Sequence, residues 1–523
     1  MTTSHATAQA PTSRNVDIRR RLEHLYQAAA TLQTEISLLE TQLVYPVLTL
    51  APEVTGEIFH WAAKSTGDSK LVSFLLAIGS VCRAWRRIAH GQAALWSRIA
   101  LDCVRLRWPE ELLAALWLPK SRALPLDISI LFRPDVDNTS NEAVMDAIAH
   151  HASRWRRVSL GISPSVGSDY RAYRRPANGN LFFLIPPPDS RVFDQPLILE
   201  RLSLSNVCIY QPPASARADT ATGNGESESI FKRCPRLTHL SITPAATLWM
   251  SFPILSVIKV SALRAVTVLC ISQCSLDDTL QALTATPCLV SLTLLNPNAN
   301  IFEDSEQFSA PEEPLELAHL QNLTCDGPST DPLSILNYLC LPLLHSLTIA
   351  QELDDDDVTI FRHLIERSQC RIGNVTLLDV EFGGWRESSM ADFLLLFPFA
   401  RCVTIEYADT ELRPRSTKPD FERCEDIEAK RPGMLLPALK QLCVHGMSRD
   451  AMAPIHRWIA ERINRQPEGQ GSNRAPEIKI AVSWSAEEKV TTSLRGLRRL
   501  VGGVEVVGNP QQLAKLRVHH QWE

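Results

Sequence analysis

Few residues in this chain are spaced for chemistry. His150 and His151 are adjacent. Neighbours on a helix point apart, so the two imidazoles do not share a metal. Beside Arg154, Arg156 and Arg157 they read as exposed helix-end residues near a C-terminus, where positive charge favours the dipole. The 13 cysteines are scattered singly; the nearest pair, Cys270 and Cys274, has no second pair of matching spacing. A zinc site is not expected, and residues such as Cys208, Cys325 and Cys443 read as small core hydrophobes. The aspartate run at 354–357, close after Glu352, lacks the glycine and alternating ligands of a calcium loop and reads as an acidic helix start. Tyr170, Arg171, Tyr173, Arg174 and Arg175 form a basic–aromatic patch without the wider basic field of a nucleic-acid binder. Glycine-rich phosphate loops and the Gly-x-Ser-x-Gly elbow do not occur. The expectation is a protein without catalysis, cofactor or metal.

Bulk properties narrow the class. At 523 residues the chain exceeds one common core, so several domains or a solenoid are expected. Hydrophobic residues at 45% and charged residues at 21% fit a folded chain, and a net charge of −5 gives no general attraction to nucleic acid or anionic lipid. No apolar run approaches a membrane span, and residues 1–15 lack the hydrophobic stretch of a signal peptide. Unpaired thiols fit a reducing compartment, cytoplasmic or nuclear. The sequons at Asn322 and Asn374 fall inside apparent strands and read as unused.

The elements follow from periodicity. Residues 1–14 read as a disordered lead. In 15–45, Ile18, Leu22, Leu25, Ala29, Leu32, Ile36, Leu39 and Leu43 recur at alternating steps of 4 and 3, a strict heptad that favours a left-handed coiled coil. Ser13 or Asn15 suits the start and Pro46 the stop. A homodimer through residues 18–43 and a helix folded back on its own chain both satisfy that seam. Residues 46–100 then carry a two-part pattern. Pro52 suits a first helical turn, Glu53 complements the N-terminus, and Val54 and Ile58 share a face. Further on, Ile78, Val81, Cys82, Trp85, Ile88 and Ala89 line one helical face, with Arg83, Arg86 and Arg87 largely off it. A short helical unit with this much apolar surface needs a partner or is a hairpin using those residues as its core.

This pattern, Leu–x–x–Glu–Val…Ile–Phe followed by Val–Cys–Arg–x–Trp–Arg…Leu–Trp, resembles the F-box of fungal F-box proteins with leucine-rich tails. The resemblance implies a docking face of Leu50, Pro52, Glu53, Val54, Ile58, Val81, Cys82 and Trp85 for a Skp-type adaptor of a cullin–RING ubiquitin ligase. Where that family has Leu–Pro, Ala51 follows Leu50 and the proline stands one place later.

Residues 101–150 read as a connecting α/β segment, with a strand at 124–131 and a helix at 141–151. From 151 to 523 a unit of the form apolar-x-x-apolar-x-apolar recurs. It begins as Trp155-Val158-Leu160, Leu199-Leu202-Leu204, Leu237-Leu240-Ile242, Val266-Leu269-Ile271 and Leu289-Leu292-Leu294. It continues as Leu320-Leu323-Cys325, Leu344-Leu347-Ile349, Val375-Leu378-Val380, Ala400-Val403-Ile405 and Leu439-Leu442-Val444. Prolines at 235, 287, 342, 398 and 437 precede several strands. The units resemble an irregular leucine-rich-repeat solenoid; an unrelated parallel α/β domain has the same periodicity.

Between the last two apolar positions stand Ser159, Ser203, Ser241, Cys270, Thr293, Thr324, Thr348, Asp379, Thr404 and Cys443. Strand side chains alternate, so these form a ladder on the face away from the core. Ser241, Thr293, Thr324 and Thr348 are the candidate contacts for a target protein, with rim loops at 211–229, 298–314 and 411–432. The expected whole is α/β: a coiled-coil helix, an F-box-like helical module and a leucine-rich-repeat-type solenoid. It would act as a substrate adaptor, or alternatively as a leucine-rich scaffold whose F-box engages no ligase.

Overall fold

The computed structural model describes residues 12–42, 50–106, 108–132, 139–162, 198–207, 234–244, 263–272, 276–295, 311, 313–326, 333–350, 353, 355–378, 390–406, 435–445, 479–483 and 504–506. The chain forms two compact units, Met1–Trp96 and Ser97–Glu523.

In the first unit, the heptad segment is one uninterrupted helix, α1 (Thr12–Gln42). Helix α2 (Pro52–Ser65) opens with Pro52 in the first turn, has Glu53 beside it and ends with Lys64. Ala51 offers no capping side chain, but its carbonyl accepts the Thr55 N–H at 3.0 Å. Helix α3 (Asp68–Val81) buries Leu71, Leu75 and Ile78, spaced i, i+4, i+7 on one face. The run expected as one helical face then breaks. Cys82 is extended, and helix α4 (Arg83–Gly91) starts behind it. The Cys82 sulfur accepts the Trp85 N–H at 3.4 Å, a side-chain cap in the position where serine or aspartate is commoner. Arg86 Nε reaches back across the break to the Gly79 carbonyl at 2.7 Å. A last turn, α5 (Ala93–Trp96), buries Trp96, whose Nε1 donates to the Ala89 carbonyl at 2.8 Å. Buried Gly56 has no room for a Cβ, because the Gln92 side chain fills that space.

The second unit is built on a 14-stranded sheet whose strand order follows the chain without a reversal. The strands are β1 (Arg98–Asp102), β2 (Leu126–Phe132), β3 (Trp155–Ile162), β4 (Arg201–Val207), β5 (His239–Pro244), β6 (Val268–Ser272) and β7 (Ser291–Leu295). A short pair, β8 (Leu315–Glu316) and β10 (Leu339–Cys340), stands apart as its own small sheet. The main sheet continues through β9 (Asn322–Asp326), β11 (Ser346–Ala350), β12 (Asn374–Leu378), β13 (Cys402–Glu406), β14 (Gln441–His445), β15 (Lys479–Ser483) and β16 (Val504–Val506). All pairs are parallel. A doubly wound domain reverses its strand order at a switch point; among its described strands this sheet shows no such reversal. The segment at 101–150 therefore does more than connect: it supplies β2 and the end of β1 to the same sheet.

Strands β4 to β7, β9 and β11 to β13 each bury two alternate apolar residues, as in Leu292/Leu294, Leu323/Cys325 and Leu347/Ile349. The third apolar residue of each unit, such as Leu237, Leu289 or Leu344, lies just before the strand and is also buried. Prolines 235, 287, 342, 398 and 437 do more than stop helices. Each is the second residue of a turn in which an N–H two residues later bonds the carbonyl just before the proline. The bonds run from Leu237 to Cys234, Leu289 to Thr286, Leu344 to Leu341, Ala400 to Phe397 and Leu439 to Leu436. Proline's fixed φ suits that second position, and the turn delivers the first core residue to the strand.

On the return side, helix α6 (Leu276–Thr284) and helix α7 (Asp355–Ser368) bury one face each, through Leu280 and Leu283, and through Phe361 and Leu364. Arg367 ties α7 to the preceding unit by donating to the carbonyls of Leu339 and Leu336 at 2.8 and 2.6 Å. Among the described residues no helix is long and apolar enough to cross a membrane.

Candidate binding surfaces

In the helical module, apolar residues divide sharply. Phe59, Leu71, Leu75, Ile78, Ala89, Leu95 and Trp96 make a core, with Phe59 only 3% exposed. Leu50, Val54, Ile58 and Val81 stand in solvent at 40%, 49%, 48% and 60%. The hairpin-core alternative needs these four inside, so they are surplus to the module's own packing. Pro52 and Glu53 are also exposed, at the start of α2, and line a groove of about 330 Å³ with Ala84, Arg87, Ile88, Gly91 and Gln92.

The remaining two expected residues sit differently. Cys82 is half-buried in its capping role. Trp85 is half-buried and packs edge-to-face on Phe59, with ring centroids 4.9 Å apart. Its ring supports the exposed face from behind. One residue of that face escaped the sequence reading. Trp61, 67% exposed with the Lys64 ammonium 5.1 Å from its ring, continues the Val54–Ile58 stripe at the next i+3 step. That spacing was legible.

On the sheet, the ladder is continuous in register. Ser129, Ser159, Ser203, Ser241, Cys270, Thr293, Thr324, Thr348, Thr376, Thr404 and Cys443 are successive cross-strand partners. Ser241, Thr293, Thr324 and Thr348 are all half-buried within it. One rung differs from the sequence expectation. In β12 the core pair is Val375 and Leu377, opposite Val403 and Ile405, so Thr376 holds the rung and Asp379 lies outside the described residues. The register follows from pairing on both sides, which adjacent Leu377 and Leu378 leave undecided in the sequence alone.

Charged groups gather at the early strands of this face. Arg157, Arg201 and His239 are consecutive cross-strand partners, two residues before the ladder in each strand. Burial first, then Arg201 and Arg157, hold the His239 imidazole below its ordinary pKa of 6.5, with Glu200 opposing. The Thr238 hydroxyl lies 2.8 Å from its Nδ1. Arg156 is the extra residue of a bulge between β2 and β3; its Nε and Nη2 donate to the two Asp127 carboxylate oxygens at 2.9 and 2.6 Å. That side-chain bond raises the Arg156 pKa. Arg154 donates to the Leu124 carbonyl and the Ser121 hydroxyl. Both arginines thus hold structure together.

Five of the described cysteines, Cys103, Cys234, Cys325, Cys370 and Cys443, are buried packing residues, whereas Cys288 is exposed. Burial pushes the thiols of Cys234 and Cys325 up to about 12 and that of Cys370 to about 11, far from a reactive thiolate. Among the described residues no group of His, Cys, Asp and Glu could hold a metal ion. Asp356 and Asp357 fall in the first turn of α7; Asp356 is exposed and Asp357 buried. The basic–aromatic patch at 170–175, the loops at 211–229 and 411–432, Cys208, Glu352 and Asp354 lie outside the described residues, as does most of 298–314.

Comparison with protein families and with curated proteins finds no match. Among solved structures, a weak neighbour is the leucine-rich repeat-containing protein LegL7 from Legionella pneumophila. It is 15% identical, matched over 72% of this chain and 100% of its own, with a TM-score of 0.32.

Proposed function

We propose that this chain is a non-catalytic substrate adaptor. Its helical module engages a Skp-type subunit of a cullin–RING ubiquitin ligase through an F-box-like face, and its sheet holds a target protein. The chain contributes proximity, and the ligase's other subunits contribute chemistry. One observation carries the reading: Leu50, Val54, Ile58 and Val81 are left in solvent by a module whose core is already filled. Burying such a side chain at an interface gains about 1.5–3 kcal/mol. The ladder of small hydroxyl side chains supplies a floor without bulk, on which a partner's side chains find space.

The test is co-purification of the full chain with the adaptor subunit and its cullin. Val54→Asp with Ile58→Asp places two charges in an apolar contact and is expected to weaken capture by about 100-fold or more. Circular dichroism of the variant should match wild type, since both positions are exposed. Equal capture by both proteins would remove the assigned face.

The second reading is a leucine-rich scaffold that engages no ligase. It is favoured by Ala51 standing between Leu50 and Pro52. Wild-type chain that captures no adaptor, yet still binds protein through the sheet, would establish it.

A further inference from the structure

Helix α1 spans Thr12–Gln42, about 46 Å at 1.5 Å per residue. Its seam residues Ile18, Leu22, Leu25, Leu32, Ile36 and Leu39 are all exposed, as is every residue from 15 to 39. A helix with a continuous apolar strip in water calls for an occupant. The seam spacing says that the occupant is a helix of the same period, and a second copy of this chain supplies one.

The register and the charges decide how two copies meet. In a parallel dimer, each layer pairs a residue with its own copy. Ala29 then faces Ala29, an underfilled layer among leucines. The flanking g-to-e′ positions bring Arg14 beside Arg19 and Glu35 beside Glu40, both like-signed. Reversing one helix removes both defects. Leu22 then faces Leu39, Leu25 faces Ile36 and Ala29 faces Leu32, so that every small residue meets a large one. Position 19, an arginine, comes beside position 40, a glutamate, and the two-fold axis makes that pair twice.

The same polarity runs along the whole segment. Arg14, Arg19, Arg20 and Arg21 stand in its first half, against Asp17 and Glu23; its second half has Glu35 and Glu40 and no basic residue. Antiparallel packing sets the basic end of one helix on the acidic end of the other. We infer that α1 forms an antiparallel homodimer in which Leu22 packs on the partner copy's Leu39. This stands apart from the adaptor reading, because α1 shares no residue with the proposed docking face. The consequence is that the C-terminal ends of the two α1 helices lie at opposite ends of the seam.

The test uses the full-length chain. Sedimentation equilibrium should give twice the mass of one chain, and Leu25→Asp with Leu32→Asp should give a monomer at the same concentration. Orientation is then read by oxidative cross-linking of Leu22→Cys and Leu39→Cys chains, one carrying a tag so that mixed dimers migrate separately. Wild type oxidised alongside sets the background from native cysteines. The mixture should yield a strong mixed dimer. Leu22→Cys alone should not exceed background, since its two copies would stand about 25 Å apart along the axis, beyond disulfide reach. A monomeric wild type, any other stoichiometry, a dimer that survives the two aspartates, or a strong cross-link from Leu22→Cys alone each overturns the inference. Val54→Asp with Ile58→Asp should leave the dimer intact, so failure of either proposal is read separately from the other.

Discussion

His239 is a side chain through which pH reaches the sheet. Its folded pKa lies below the 6.5 of the free imidazole because it is partly buried and follows Arg201 in the row. The unfolded chain therefore binds a proton more readily as pH falls below 6.5. The stability that neutral His239 supports is fully present above that value, and it is lost as pH drops toward the folded pKa. The melting temperature should fall as pH drops below about 6.5, and His239→Asn should flatten that fall. Equal slopes for wild type and variant would exclude His239 from the transition. Individual residues differ in how far sequence exposes their roles. Cys325 and Cys443 were legible as packing groups, since nothing in the cysteine spacing gathers them. Trp85 was not, because its position on a helical face is a matter of spacing while the direction of its ring is settled by Phe59 from another helix.

Neighbouring positions on α2 face opposite worlds, and this gives a sharp contrast at the scale of the element. Phe59→Ala removes a ring packed on Trp85 and should cost the module about 3–5 kcal/mol, whereas Ile58→Ala should change its stability by no more than about 0.5 kcal/mol. Urea unfolding followed by tryptophan fluorescence distinguishes them; comparable losses would mean that Ile58 belongs to the core. Helices with sustained periodicity were readable: α1 and the start of α2 follow from spacing, whereas the buried Leu71–Leu75–Ile78 face of α3 was not named beyond Ile78. The break at Cys82 was not readable, for it contains neither glycine nor proline and depends on a thiol acting as a cap. Strand β1 was missed for a related reason. Ile99, Ala100 and Leu101 are all buried, so its sequence lacks the alternation that marked β2. The prolines were noticed but only half understood, since their place in a turn depends on a carbonyl and an N–H that composition does not display.

Across the whole second unit, the ladder makes one testable surface. Replacing Thr293 and Thr348 by arginine puts two long cations where small hydroxyls left space, and should abolish target capture while adaptor binding through the helical module persists. Proximity labelling of wild type against the double variant reads this directly; identical partners from both would place recognition elsewhere, with the rim segments next. The repeat and its parallel sheet were legible from apolar triplets alone, whereas the site was legible only as a row of residue types. What the order of strands adds concerns change over generations. The connection from Ile162 to Arg201 is far longer than that from Ser272 to Ser291, yet Ser159 meets Ser203 and Cys270 meets Thr293 in the same register. A strand here answers only to the strand before and the strand after. Connections can therefore lengthen, shorten or acquire new sequence without disturbing the floor they surround. On the proposed function, new specificity has a place to accumulate that the fold does not police.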